Sequence, residues 1–220
     1  MINNEFIRNR LWQVSLFFII LYAVGTIGLI IPYCFPLFVR LTFLALIVST
    51  IGLFIFHRAI NIKQDIIIFT VIFLLGFIVE VVGVNTGVIF GSYQYGETLG
   101  IKLFHTPLLI GLNWVFLTYT ARSISDKLTK NIFLQLIIAP TLMLIYDIVM
   151  EQLAPLMDMW SWTNSSVPIK NYIAWWLIGF LFTGILKRFK INTHNPLALV
   201  LFLCQFLFFA VLFIYYNLLK

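Results

Sequence analysis

Residues 66–90 read IIIFTVIFLLGFIVEVVGVNTGVIF, a run in which Glu80 is the one ionisable side chain. An apolar stretch this long spans the roughly 30 Å hydrocarbon core of a bilayer as a helix rising about 1.5 Å per residue. The rest of the chain repeats the pattern. Apolar runs near 11–31, 36–57, 66–90, 102–121, 132–151, 171–187 and 197–218 predict seven transmembrane helices. The composition agrees: 62% of residues are hydrophobic, 10% are charged and the mean hydropathy is +1.03, far outside the range of soluble globular chains. Seven spans nearly exhaust 220 residues, so the expectation is an all-α polytopic membrane bundle forming a single integral domain over 1–220.

The cations set the orientation. Arg8 and Arg10, Arg58 and Lys63, Arg122, Lys127 and Lys130, and Lys187, Arg188 and Lys190 occupy the N-terminus and every second loop. Arg40, Lys102, Lys170 and Lys220 are left for the other side, which the positive-inside rule turns into an N-in, C-out topology. The net charge of +6 is thereby explained without nucleic-acid binding. The opening MINNEFIRNR precedes its apolar run with no small-residue cleavage site, so a retained first helix is expected. The absence of an organellar presequence favours a prokaryotic plasma membrane. Cys34 and Cys204 each lie within an apolar segment and suggest neither a disulfide framework nor a paired-cysteine metal site.

Against this background three carboxylates stand out. Glu80, Asp147 and Glu151 lie within or at the end of apolar runs, where a charged side chain costs about 2.5 to 3.5 kcal/mol even on lenient insertion scales. Helices 3 and 5 both run outward in the expected topology. Glu80 therefore falls somewhat beyond mid-membrane, and Asp147 and Glu151 at the outer end. The following loops, 91–101 and 152–168, carry Ser92, Tyr93, Tyr95, Glu97, Asp158, Trp160, Ser161, Trp162 and Asn164, a polar and aromatic lid over the acids.

Gly76, Glu80, Gly83 and Gly87 recur at spacings of three and four and share one helix face. Small residues at such spacing ordinarily serve close helix crossing in lipid. A bare-backbone face beside a carboxylate also admits a thin, rigid substrate. Asp147 and Glu151 are one turn apart on one face, close enough to share a proton or a water, and Pro140 is a candidate kink below them. Two neighbouring carboxylates in a low dielectric resist being ionised together, which leaves a neutral acid available as a proton donor. The plainer reading is that Glu151 is interfacial and Asp147 caps or pairs with a cation such as Lys170. Trp160, Trp162, Trp175 and Trp176 are ordinary interface anchors on one reading. On the other, aromatic faces including Phe90, Tyr93, Tyr95 and Trp114 line a pocket and stabilise a cation.

Other chemistries lack their residues. His57, His105 and His194 show no zinc or di-iron spacing, and His57 and His194 are expected at the basic inner helix ends as interfacial groups. No metal or cofactor is called for. Helix 7 has no lysine for a retinal Schiff base, and there is no glycine-rich phosphate loop.

The combined pattern of helices 3 to 6 resembles a known family. Its text is Glu80-x-x-Gly-Val-x-Thr-Gly-x-x-Phe-Gly-x-Tyr-x-Tyr95, then Pro107 with Trp114, then Asp147-x-x-x-Glu151-x-x-Ala154, then Trp160-x-Trp162, Pro168-x-x-Asn171 and Trp175. The order of pieces is similar to the membrane carotenoid biosynthesis proteins that include bisanhydrobacterioruberin hydratase and the carotenoid 1,2-hydratases acting on ψ-end groups. Helices 1, 2 and 7 match by hydropathy alone. The resemblance implies hydration of the terminal C1=C2 double bond of an acyclic carotenoid to a tertiary alcohol, without redox cofactor or metal. An acid protonates C2, and water captures the tertiary cation at C1. Asp147 is then expected to be the proton donor, Glu80 to orient or deprotonate water and Glu151 to tune Asp147, with the first two roles exchangeable. Gly83, Asn85, Thr86, Gly87, Tyr93, Tyr95, Trp114, Trp162, Asn171 and Trp175 are expected to line the substrate. The carotenoid would enter from the bilayer, water would be co-substrate, membrane lipids would surround the protein, and neighbouring pathway enzymes are natural partners. The site would face the extracytoplasmic half. Two other outcomes are open: a carotenoid cyclase that begins with the same protonation, and a non-catalytic carotenoid or lipid carrier or assembly protein.

Overall fold

Each apolar run becomes a helix in the computed structural model, which describes residues 9–219. Arg8 and Lys220, both counted above among the orienting cations, lie outside these residues. The helices are α1 (Leu11–Ile30), α2 (Phe35–Ile55), α3 (Ile62–Thr86), α4 (Leu109–Leu128), α5 (Ile132–Glu151), α6 (Ile169–Arg188) and α7 (Ala198–Ile214), the last running on into a π-helical turn, Tyr215–Leu219. Six of them are long and apolar enough to cross a membrane on length and composition alone. The chain is an all-α polytopic membrane bundle.

The helix that falls short, α4, holds the centre. It packs against α2, α3, α5, α6 and α7, and every residue from Asn113 to Ser125 is buried. A helix mantled by other helices meets protein instead of lipid, so Thr118, Thr120, Arg122 and Ser123 are tolerated along it. The surrounding helices turn their exposed Leu, Ile and Phe side chains outward, as lipid-facing surfaces do.

Two helices are displaced from the apolar runs that foretold them. Instead of 66–90, α3 occupies Ile62–Thr86. Asn61 caps its start by accepting a hydrogen bond from the Gln64 amide, and Gly87 stops it in the left-handed conformation at φ 65°. The expected fourth helix at 102–121 starts seven residues later. Its first apolar residues form instead a two-stranded hairpin, β2 (Lys102–Leu103) against β3 (Thr106–Pro107), with Phe104 and His105 at positive φ in the turn. At the other end α4 continues to Leu128 because Arg122 is buried and bonds Asp126 one turn on, at 3.3 Å.

His57 differs from its expected interfacial placement. Its side chain is 5% exposed and is held between the Asp65 carboxylate and the Tyr119 hydroxyl, each at 2.8 Å. This cluster ties α2, α3 and α4 together at the end where the basic loops meet. There Asn192 donates to the Arg58 carbonyl at 2.9 Å and Thr193 donates to Asp126 at 2.9 Å.

Candidate active site

At the opposite end, two short strands lie in segments expected to be loops and form a ribbon. Strand β1 (Tyr93–Tyr95) pairs antiparallel with β4 (Trp160–Trp162), so that Tyr93 lies opposite Trp162 and Tyr95 opposite Trp160. Alternate residues of a strand point to one face, which gathers two tyrosines and two tryptophans above the ends of α3 and α5. Gln94 is exposed on the other face. Gly96 fastens the ribbon by donating to the Met159 carbonyl at 2.9 Å, and a Cβ at this position would lie 2.2 Å from the Asp158 carbonyl oxygen. The Asp158 carboxylate accepts the next amide, Glu97 N–H, at 2.9 Å.

Beneath the ribbon lie all three carboxylates, with exposures of 3% for Glu80, 0% for Asp147 and 4% for Glu151. Their hydrogen bonding is unequal. Glu80 Oε2 accepts the hydroxyls of Tyr93 and Tyr95, both at 2.7 Å, and its Oε1 accepts the Trp114 indole N–H at 3.1 Å. Glu151 Oε2 accepts the indole N–H groups of Trp160 at 2.9 Å and Trp162 at 2.8 Å, and Oε1 accepts the Asn171 amide at 3.1 Å. Asp147 Oδ2 receives one bond, from the same Asn171 amide nitrogen at 3.1 Å, and its Oδ1 is buried with no partner.

This difference sorts the acids chemically. A hydrogen bond to a charged group contributes about 1.5 to 3 kcal/mol, so three donors on Glu80 and three on Glu151 are what a buried anion needs. Asp147 has one shared donor, and an orphaned oxygen is an awkward place for negative charge but a natural one for a proton. Burial, then the adjacent Glu80 charge, pushes the Tyr93 and Tyr95 phenols well above their ordinary range, so both remain hydroxyl donors at neutral pH.

Aromatic rings wall the acids. The wholly buried Trp114 stacks on Trp175 with centroids 4.3 Å apart at 26°, and meets Phe182 edge-on at 5.5 Å. Tyr93 lies 5.1 Å from Trp162, and Tyr95 lies 6.1 Å from Trp160. The tryptophans Trp160, Trp162 and Trp175 are therefore turned inward and are not interface anchors. Trp160, expected in the lid but not among the substrate-lining residues, is a direct partner of Glu151. Its signal was the Trp-x-Trp alternation, a period of two.

Part of the expected binding set lies elsewhere. The glycine face of α3 is filled by aromatic side chains: a Cβ on Gly76 would meet Trp114 at 2.7 Å, and one on Gly83 would meet Phe90 at 2.4 Å. Gly87 is a helix stop whose carbonyl accepts Lys170 Nζ at 2.7 Å, so Lys170 is not the partner of Asp147. Asn85 and Thr86 are exposed, and their side chains donate to the Val81 and Val82 carbonyls at 2.8 and 2.6 Å. They line an outer polar cleft with Tyr93 and Trp162, away from the acids. The expected residues that do converge are Glu80, Asp147, Glu151, Tyr93, Tyr95, Trp114, Trp162, Asn171 and Trp175.

The contact at Gly76 yields a first prediction. Gly76→Val would push the Trp114 ring off both Glu80 and Trp175. The expected result is a loss of about 1 to 3 kcal/mol of stability, read as a lower melting temperature in detergent, with a shift in tryptophan emission.

One of the acids, Glu151, borders a polar cleft of about 460 Å³, whose wall it shares with Ser161, Trp162, Ser165, Ser166 and Tyr172. Among the described residues no three His, Cys, Asp or Glu side chains are grouped to hold a metal ion.

No curated protein and no solved structure matches the chain. A family model described as carotenoid biosynthesis protein matches residues 35–220, which takes in α2 to α7, both strands of the ribbon and all three acids. The chain belongs to the carotenoid biosynthesis protein family.

Proposed function

We propose that the protein is a carotenoid hydratase, adding water to the terminal C1=C2 double bond of an acyclic carotenoid end. The observation that carries this reading is the orphaned Oδ1 of Asp147 beside two fully hydrogen-bonded carboxylates. Asp147 gives its proton to C2: the O–H bond breaks, a C–H bond forms, and positive charge develops at C1. The Glu80 anion and the surrounding aromatic faces stabilise that charge. Water then bonds to C1 through oxygen and releases a proton to Glu151, leaving a neutral tertiary alcohol.

Glu151 is favoured over Glu80 for this last step because it lines the polar cleft, whereas Glu80 is sealed by Trp114 and two tyrosines. Asp147 and Glu151 lie one turn apart on α5 and share the Asn171 amide as a donor, so a water between the two carboxyl groups can accept the Glu151 proton and pass one back to Asp147, which resets the site. Access of water also favours hydration over cyclisation. The same reading takes the site to be extracytoplasmic, because the basic loops gather at the end opposite the ribbon.

The test is expression in a cell that accumulates lycopene, followed by mass analysis of the pigments. A pigment heavier by one water is expected. An isomer of unchanged mass absorbing at shorter wavelength would replace the hydratase with a cyclase, and unaltered pigment would overturn the assignment for this substrate.

A further inference from the structure

An apolar cleft of about 230 Å³ opens between α1, α2 and α7 on the half of the bundle that carries the acids, among exposed Val24, Leu41, Leu44 and Val48. Its walls are rich in rings, from Tyr22, Phe38, Phe208 and Phe209. A smaller cavity of about 40 Å³ abuts it and shares Thr42, Leu46, Gln205 and Phe209 with it. This inner cavity ends on Asn113, Tyr146, Met150 and Trp160. Trp160 is the indole that donates to Glu151, and Tyr146 adjoins Asp147 in sequence.

Gln205 stands at the neck between the two spaces. It is 6% exposed, and its Oε1 is buried without a hydrogen-bond partner. An unpaired amide oxygen on a membrane helix is costly, so a water is the expected partner when the neck is empty. The inner cavity has room for about one water, whose share of liquid volume is about 30 Å³.

We infer that the cleft between α1, α2 and α7 is a binding site for one linear polyene chain, admitted sideways from the bilayer past Gln205 toward Trp160. Two features favour a polyene over a lipid acyl chain. The ring-lined walls suit a flat conjugated rod, and the cleft continues into a cavity that ends against a partner of the reacting acids. Trp160 is then the wall between bound chain and acids, and must swing aside for the end group to reach Asp147. This inference deepens the hydratase reading by assigning the path and the class of its substrate.

Binding is tested apart from turnover by titrating lycopene into the purified protein in detergent micelles and following quenching of tryptophan emission. Ala45→Phe and Val48→Phe, both in the cleft wall, are expected to raise the half-saturating concentration about tenfold, with melting temperatures unchanged. Leu181→Phe, on the exposed face of α6, is expected to leave it at the wild-type value. Unaltered binding in both cleft variants would overturn the site, as would equal weakening in Leu181→Phe or displacement of the effect by added phospholipid alone. Blocked binding in a protein that hydrates nothing would keep the cleft and remove the hydratase reading; normal hydration by both blocked variants would do the reverse.

Discussion

Asp147→Asn is expected to lower formation of hydrated carotenoid by a factor of about 10² to 10⁴, the usual contribution of a positioned general acid. The substitution keeps the shape of the side chain. Its amide oxygen still accepts the Asn171 N–H that now reaches Oδ2 at 3.1 Å, and its NH₂ takes the place of the orphaned Oδ1. The NH₂ group brings two donors to a buried position without an acceptor, where the acid brought one, so a stability loss of about 1 to 3 kcal/mol is expected. A loss of activity far larger than that modest fall in melting temperature accounts for separates a proton donor from a structural group. Retention of more than a tenth of the wild-type rate in lycopene-accumulating cells, at equal protein levels, would remove Asp147 from the chemistry.

The helices were legible because lipid imposes a simple rule. A run such as 66–90 has to be a helix wherever it crosses, and displacements arose where local chemistry outbid hydropathy. At Gly87 a left-handed residue ends α3 within an apolar run, and at Thr106–Pro107 a hairpin claims residues that hydropathy would have given to α4. The carboxylates were legible because their cost in an apolar run is conspicuous. The glycines were half legible: their spacing reports close packing, as the helix-crossing reading expects, but not what packs there, which is Trp114 of α4 and Phe90 instead of a ligand.

The ribbon was the hardest part to see. Strands of three residues carry almost no hydrophobic signal, and Tyr-Gln-Tyr and Trp-Ser-Trp acquire meaning only when paired across an interval of more than sixty residues. The depth of His57 was hidden for a related reason. Its two partners, Asp65 and Tyr119, come from different helices, and no spacing in the sequence announces them.

Glu80→Gln is expected to reduce the rate by about 10² to 10³, in the range seen when one preorganised electrostatic group is removed. The geometry dictates how the amide settles. The Trp114 N–H can only donate, so the amide oxygen must take the Oε1 position, and the NH₂ group then faces the two phenols that now donate to Oε2. Hydroxyls rotate and accept as readily as they donate, so Tyr93 and Tyr95 reverse and the network survives. What disappears is the negative charge facing the developing cation. The stability cost should be small, about 1 kcal/mol for exchanging charged hydrogen bonds for neutral ones. Glu80→Leu makes the contrast, because it strands three buried donors at about 1 to 3 kcal/mol each and should fail to accumulate. If Glu80→Gln hydrates at the wild-type rate, Glu80 serves only to pin the ribbon to α3, and cation stabilisation passes to the aromatic walls and to Glu151.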